Sequence, residues 1–225
     1  MFGASPVFED RAQAGRQLAD RLAHYAGQPV IVLALPRGGV PVAAVIAERL
    51  DAPLDVFVVR KVGAPGNPEY GLGAVAEGAA PLLDVDRIRE LGLEPRDLEA
   101  EIHDQVQEVE SRVRRYRGGR PAPSIEGRTV ILVDDGLATG STALAAVRAL
   151  RVRRPQRLVL AVGVASVEAR DALSREVDEL VCPCVPPLFA AVGEWYREFP
   201  PVPDAEVLRL LKRHRSASID GNKAA

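Results

Sequence analysis

Four apolar runs, rich in β-branched residues, recur along the chain with helical patterns between them. They cover residues 30–35, 54–60, 129–133 and 157–165. Continuous apolar runs of this length are typical of strands that are covered on both faces of a parallel sheet. After the first run, a tight turn at Gly38-Gly39 leads into a helical pattern over residues 40–50 and then into the second run. This order is a βαβ unit, so the sequence predicts a parallel sheet with helices on its faces.

A long segment, residues 63–128, separates the second and third runs, and it is too long to be a simple loop. After an irregular start over residues 63–68, we predict a hairpin with strands over residues 70–77 and 81–84. An apolar stripe from Leu98 to Tyr116 then predicts a long helix that ends at Gly118-Gly119. The acidic residues of this helix are interpreted as a solvated face: Glu101, Asp104, Glu108 and Glu110.

The remaining patterns complete an α/β fold with a central, mostly parallel five-stranded sheet flanked by helices. Further helices are predicted from Ser5-Pro6 to Gly27 and over residues 141–152 and 167–175, and a fifth strand over residues 179–182. We expect one domain over residues 1–215, with a core over about 29–181 and a lobe rich in proline and aromatic residues over about 182–203. A last helix is predicted from Asp204 through Leu211, and residues 216–225 have the composition of a disordered tail.

Composition argues against several classes of protein. No apolar run approaches the roughly 18 residues that a membrane span requires. The formal net charge of −2 argues against a protein that coats nucleic acid. Cys182 and Cys184 have no second Cys/His pair at the spacing of a zinc site, so we interpret them as structural thiols in a reducing cytoplasm.

The segment VILVDDGLATGST, residues 130–142, carries the strongest chemical signal. An apolar strand runs into two acids, Asp134 and Asp135, and a loop of small residues follows before the next helix. Backbone N–H groups at such a helix N-terminus can close on a phosphate. The two carboxylates suit vicinal sugar hydroxyls, which are hydrogen-bond donors. No Gly-Lys-Ser/Thr follows, so the loop is not a Walker loop.

The string LVDDGLATGST resembles the phosphoribosyl pyrophosphate (PRPP) motif of the type I phosphoribosyltransferases. The resemblance implies that Asp134 and Asp135 hold the ribose hydroxyls of PRPP. It implies that a loop holds the 5-phosphate, and this loop consists of Ala138, Thr139, Gly140, Ser141 and Thr142.

Two other places resemble the same family. LPRGG, residues 35–39, is similar to its pyrophosphate loop and contains Arg37 and Gly38, while Arg60-Lys61 resembles a basic pair that meets pyrophosphate. We expect Arg37, Arg60 and Lys61 to be catalytic, because pyrophosphate leaves with several negative charges that cations must meet. All three are predicted at the carboxyl ends of parallel strands, the edge at which α/β sheets bind ligands. Ordinary surface positions remain the alternative for each.

The lobe after Cys182 stands where the family has a hood that holds the base. Pro186, Phe189 and Trp195, together with Tyr196, are candidates for stacking on a flat ring, and core packing of the lobe is the alternative. Ala138 stands where the hypoxanthine-guanine branch of the family has an acid, which disfavours a 6-oxopurine enzyme without establishing adenine.

The resemblance implies a transferase that moves 5-phosphoribosyl from Mg²⁺-PRPP to a nitrogenous base and releases pyrophosphate. Mg²⁺ would be held mainly by PRPP, and contacts from Asp134 and Asp135 stay open. We expect a cytoplasmic protein with a small-molecule base as partner and neither membrane nor nucleic acid. The oligomeric state stays open, and a homodimer is the state common in the family. The alternative is a non-catalytic regulator that senses PRPP on the same fold. A phosphatase-like hydrolase is disfavoured, because no nucleophile is positioned.

Overall fold

The computed structural model describes residues 7–221, which form eight strands and seven α-helices. The strands are β1 (Val30–Ala34), β2 (Leu54–Val56), β3 (Val59–Ala64), β4 (Asn67–Ala76), β5 (Leu82–Leu83), β6 (Thr129–Leu137), β7 (Arg157–Ala165) and β8 (Glu179–Val181). The helices are α1 (Arg11–Arg21), α2 (Gly39–Leu50), α3 (Val85–Glu90), α4 (Glu99–Arg117), α5 (Ser141–Val152), α6 (Val167–Leu173) and α7 (Asp204–Gly221).

The main sheet has five strands in the order β2-β1-β6-β7-β8, and every neighbouring pair is parallel. This confirms the predicted α/β class. Side chains alternate between the two faces of a strand, and both faces of this sheet are covered. Ile131 and Val133 of β6 pack in a cluster with α1, α2 and α7, whereas Val130 and Leu132 pack with α5 and the second sheet.

The second sheet is antiparallel, with the order β3-β4-β5. Here the structure corrects two predictions. The second core strand ends at Val56 rather than at Arg60, because the chain leaves the main sheet and starts β3 at Val59. Residues 63–68 are not simply irregular, since β3 and β4 pair through them, with register shifts on either side of Gly63.

Helix α4 confirms the predicted long helix and ends at Gly118, whose φ of 61° is the left-handed conformation that glycine adopts readily. Arg117, the last helical residue, is buried with 3% of its side chain exposed. Its guanidinium donates to Asp55 at 2.8 Å, to the Val56 carbonyl at 2.7 Å and to Glu77 at 2.8 Å. Residues 59–117, called the insertion below, are therefore fastened at both ends to the edge of the main sheet.

The two terminal segments of the described chain pack together. Asp10 caps α1 by accepting from the Gln13 amide at 2.7 Å, so the helix begins at Arg11; the predicted start at Ser5-Pro6 lies outside the described residues. Phe8 is not part of that helix, and instead forms a parallel bridge with Tyr196 of the lobe.

The last helix, α7, starts at Asp204 as predicted and continues past Leu211 to Gly221, into the segment expected to be disordered. Residues 222–225 of that predicted tail lie outside the described residues. Within residues 7–221, no helix combines the length and apolar character needed to cross a membrane.

Candidate active site

A cavity of about 700 Å³ opens at the carboxyl edge of the main sheet, where α/β sheets generally bind ligands. Three walls enclose it. The sheet edge contributes Leu35, Pro36, Asp134, Thr139, Ser141 and Thr142. The β3 hairpin contributes Val59, Arg60, Lys61, Gly63, Ala64 and Gly66. Helix α4 contributes Glu101, Asp104, Gln105 and Arg112. The cavity therefore lies between the main sheet and the insertion.

The two acids at the end of β6 point to opposite faces of the sheet, as the alternation of a strand requires. Asp134 lines the cavity. Asp135 lies on the side of α1, where its Oδ2 accepts from Nε of Arg11 at 2.9 Å. Of the two acids predicted to hold ribose hydroxyls, the structure thus brings Asp134 to the cavity and pairs Asp135 with a cation behind it.

Burial dominates the electrostatics of this acid pair. It raises the pKa of Asp134 well above its ordinary value, and the adjacent charge of Asp135 raises that pKa further. Burial also raises the pKa of Asp135, and the charge and hydrogen bond of Arg11 oppose this shift. Asp134 accepts from the Asp135 backbone amide at 2.9 Å. The cavity therefore contains a carboxyl group whose charged form is poorly solvated and would gain from hydrogen-bond donors.

The loop after β6 has the geometry of an anion site. Gly140, with φ 71°, precedes the first residue of α5, so the first N–H groups of this 12-residue helix open towards the loop. The Thr139 and Ser141 hydroxyl oxygens lie 3.1 Å apart at the cavity wall. From outside, the Ser166 hydroxyl fixes the loop by donating to the Ala138 carbonyl at 2.7 Å. Thr139, Ser141 and Thr142 line the cavity, whereas Ala138 and Gly140 serve the backbone turn.

Arg60 and Lys61 line the cavity from β3. Their predicted place at the end of a parallel core strand is wrong, because β3 is an antiparallel strand of the second sheet. Nε of Arg60 donates to Oε1 of Gln105 on α4 at 3.2 Å. Partial burial lowers the pKa of Arg60, and the charge of Arg112 lowers it further. Three cations, Arg60, Lys61 and Arg112, thus share the insertion side of the cavity.

Arg37 stands apart from these cations. It is about half exposed, forms an ion pair with Asp204 at 3.9 Å and is not among the residues that line the cavity. The peptide bond between Pro36 and Arg37 is cis. Gly38 packs directly on the acid pair, since a Cβ atom built on it would lie 2.1 Å from Oδ2 of Asp135. The LPRGG loop and the end of β6 are therefore in backbone-to-carboxylate contact.

The aromatic residues of the lobe form a small core of their own. Trp195 and Tyr196 are buried with Phe8 and Val164, and the ring of Phe189 stacks on Trp195 with centroids 6.5 Å apart. Pro186, Phe189 and Trp195, the predicted base contacts, are not among the residues that line the cavity. Nε1 of Trp195 has no hydrogen-bond partner within the described part of the chain.

Sequence reasoning missed two groups of residues at this site. Glu101 and Asp104 were interpreted as a solvated face, yet with Gln105 and Arg112 they form the helical stripe of α4 that lines the cavity. Their i, i+3, i+4 spacing places them on one face of the helix, but the spacing alone does not show what that face meets. Arg11 carried no local signal, because its contact with Asp135 joins residues 124 positions apart.

Comparisons with known proteins bear on the family of the chain and on its fold. The family described as "Phosphoribosyl transferase domain" matches residues 9–185. Two relatives from strains of Mycobacterium tuberculosis, each provisionally named a phosphoribosyl transferase, are 44% identical over 210 residues, which is 93% of this chain and 47% of theirs. The chain thus spans about half the length of these curated relatives. A crystal structure of a Thermus thermophilus protein is 45% identical with a TM-score of 0.80, over 92% of this chain and 98% of that one.

Proposed function

The chain belongs to the phosphoribosyl transferase family, and on that premise we propose that it transfers 5-phosphoribosyl from Mg²⁺-PRPP to a nitrogenous base and releases pyrophosphate. One observation supports the proposal. An acid suited to sugar hydroxyls, a loop suited to phosphate and a group of cations line a single cavity: Asp134, the loop residues Thr139, Ser141 and Thr142, and Arg60 with Lys61. Each part suits one portion of PRPP.

The donor would lie across the cavity from the main sheet to the insertion. Its 5-phosphate would accept hydrogen bonds from the N–H groups at the start of α5 and from the hydroxyls of Thr139 and Ser141. Its ribose hydroxyls would donate to Asp134, which relieves the poor solvation of that carboxylate. Its pyrophosphate would then face Arg60 and Lys61 on β3.

The reaction breaks the bond between C1 of the ribose and a pyrophosphate oxygen and forms a bond from C1 to a nitrogen of the base. Arg60 and Lys61 would stabilise the negative charge that develops on pyrophosphate, while the phosphate loop and Asp134 hold the sugar in place. Mg²⁺, when bound, would neutralise part of the pyrophosphate charge. Oxygen ligands suit this ion, so the oxygens of PRPP would hold most of it and Asp134 would be the carboxylate that the cavity wall adds.

A second candidate is a non-catalytic protein that senses PRPP. The observation in its favour is that Pro186, Phe189 and Trp195, the predicted base contacts, do not line the cavity. A sensor needs the donor site alone, whereas a transferase also needs a place for the acceptor. Among the lining residues to which no portion of the donor is assigned, Glu101, Asp104 and Gln105 of α4 are polar groups that could meet an acceptor.

The test combines donor titration by calorimetry with pyrophosphate release in the presence of a panel of nucleobases. We expect PRPP binding and turnover with at least one base. Asp134→Asn should weaken PRPP binding by about 10- to 100-fold, because a charged acceptor is lost. Asp86→Asn, a substitution at a side chain that is 88% exposed, is the matched control and should change nothing. PRPP binding without turnover would favour the sensor, and absence of PRPP binding would refute both.

A further inference from the structure

We propose that Arg11 is a positioning residue of the donor site: through Asp135 it fixes the end of β6 and the LPRGG loop in the arrangement in which Asp134 faces the ribose. The inference rests on the proposed function, because it concerns how the same cavity binds its donor. Arg11 does not line the cavity, so it would not contact a donor bound there. It acts on the site from behind, through the carboxylate of Asp135.

Arg11 joins three parts of the chain that are remote in sequence. Its Nε donates to Asp135 at 2.9 Å, and its Nη1 donates to the Pro200 carbonyl at 2.8 Å. The guanidinium carbon lies 3.7 Å from the centre of the Phe199 ring, which is the geometry of a cation–π contact. Only 10% of the Arg11 side chain is exposed. A planar, multiply held guanidinium of this kind has one orientation, so it defines where its partner carboxylate lies.

Asp135 is in turn held by contacts to both its side chain and its backbone. Arg11 binds its carboxylate, and the Tyr196 hydroxyl donates to its carbonyl at 2.6 Å. Gly38 leaves no room between the LPRGG loop and the carboxylate, since an added Cβ would lie 2.1 Å from Oδ2. If the Asp135 side chain moved away from Gly38, it would leave a gap between the two, and if it moved closer, it would clash with the Gly38 backbone.

The link from Asp135 to the cavity is short. Asp134 is the preceding residue of β6, and its carboxylate accepts from the Asp135 amide at 2.9 Å. The orientation of Asp134 thus depends on the backbone that Arg11 and Tyr196 hold in place. A buried ion pair is weak evidence for stability as such, because desolvation offsets the attraction between the charges. The position of the Arg11–Asp135 pair behind the donor site explains its presence better than a contribution to stability does.

The experiment separates positioning from plain stabilisation by the choice of ligands. Ribose 5-phosphate, 2-deoxyribose 5-phosphate and inorganic phosphate are titrated by calorimetry against wild type, Arg11→Ala, Arg11→Lys and Arg16→Ala. Arg16 is an exposed residue of the same helix and is the matched control. Inorganic phosphate reports on the phosphate-binding groups of the cavity, which are the loop before α5 and the cations of the insertion, independently of the sugar hydroxyls. The preference for ribose over 2-deoxyribose reports on the acceptor that faces the sugar hydroxyls.

We expect Arg11→Ala to weaken ribose 5-phosphate binding by about tenfold or more and to abolish the preference over the deoxy sugar, with phosphate affinity within about twofold of wild type. Arg11→Lys keeps the charge but cannot hold Asp135, Pro200 and Phe199 together, so it should lose about half of that preference on a logarithmic scale. This variant decides the question if Arg11→Ala does not fold. Arg16→Ala should match wild type.

Two other results would overturn the inference in different ways. If wild type prefers the ribose ligand and the Arg11 variants, once folded, keep that preference, Arg11 does not position the site. If the Arg11 variants lose phosphate affinity as strongly as sugar affinity, its role is general stabilisation of the fold. If wild type binds neither ribose 5-phosphate nor PRPP, the proposed function itself is wrong, and this inference falls with it.

Discussion

At the scale of single residues, Asp134 shows the conflict between stability and ligand binding. It lies at the end of a fully buried strand segment, next to a second acid, where burial raises its pKa. A carboxylate in such a place is unfavourable in the protein without ligand and becomes useful when donors meet it. Residues that carry this kind of cost are typical of functional sites.

We predict that Asp134→Asn stabilises the ligand-free protein near pH 7. A carboxyl group whose pKa is higher in the folded state contributes stability below its unfolded pKa, and that contribution is lost as the pH rises through its folded pKa. The amide keeps an oxygen that can accept from the Asp135 amide but never acquires the charge. The free energy of unfolding of Asp134→Asn should therefore exceed that of wild type at pH 7, and the difference should shrink as the pH falls towards about 4.

Urea denaturation of both proteins across this pH range checks the prediction. Taking the difference between variant and wild type cancels the titration of distant carboxylates, and what remains belongs to Asp134 and its neighbour Asp135, whose charges act on each other. Asp86→Asn, at a well-exposed position, should show no such difference at any pH. A variant that is less stable than wild type at neutral pH would contradict the prediction. It would mean that neighbouring groups already stabilise the charge of Asp134 in the protein without ligand.

At the scale of elements, patterns confined to one element were predicted well. Helix α5 and strand β7 begin and end at the predicted residues, because their apolar periodicity and flanking glycine or charged residues are local signals. The junction between β2 and β3 was not predicted. Phe57 and Val58, which connect these strands, are as buried as the strand before them, so the apolar run continues while the chain changes sheet.

The candidate site shows the same division: its local motif was predicted, and the contacts that depend on tertiary packing were not. The acids and the phosphate loop of β6 and α5 lie in one continuous motif, and three residues of that loop line the cavity. The contribution of α4 was not predictable, since a polar stripe such as Glu101 and Asp104 has the same pattern whether it faces bulk water or a water-filled cavity. The partner of Asp135 depends on tertiary packing alone.

Strand β3 is the element on which catalysis would depend, and Lys61 tests it. If Lys61 meets the departing pyrophosphate, its effect lies in the transition state, so Lys61→Ala should lower kcat by about 10²–10³. PRPP affinity should stay within roughly tenfold of wild type. Single-turnover pyrophosphate release beside PRPP titration measures both quantities.

The matched control is Lys212→Ala on α7, at an exposed position that does not line the cavity, and it should leave both quantities unchanged. An equal loss in affinity and in kcat/KM at unchanged kcat would assign Lys61 to binding only. For a sensor, donor affinity would be the one property that Lys61→Ala could alter.

At the scale of the whole molecule, one buried arginine connects the two sheets. Arg117 sits between Asp55 of β2 and Glu77, which follows β4, and all three side chains are mostly buried. Arg153 of the segment after α5 adds a further contact to Glu77 at 4.0 Å. The cavity lies between these sheets, so the network sets the distance across which a ligand must bind.

We predict that Arg117→Met lowers the free energy of unfolding by about 3–5 kcal/mol, because two buried carboxylates lose their shared cation. Arg114→Met is the control on the same helix. The Arg114 side chain is 66% exposed and pairs with Glu110, so its loss should cost less than about 1 kcal/mol. Urea denaturation measures the free energy of unfolding of both variants. If Arg117→Met lowers it as little as the control does, water must solvate the Asp55 and Glu77 carboxylates once the cation is lost.

The contacts of Arg117, which join the end of the insertion to β2, also affect how the insertion opens and closes. Arg117 returns the chain to the point where it left the main sheet, next to Asp55 and Val56, so we expect the insertion to open as a unit. In amide hydrogen exchange, the protons of β3 and β4 should therefore exchange together, at an opening energy below that of β6 and β7. A donor that bridges the cavity would slow this shared opening in proportion to its binding and leave exchange in β7 unaltered. Exchange rates in the insertion would then report donor binding in a protein whose acceptor has not been found.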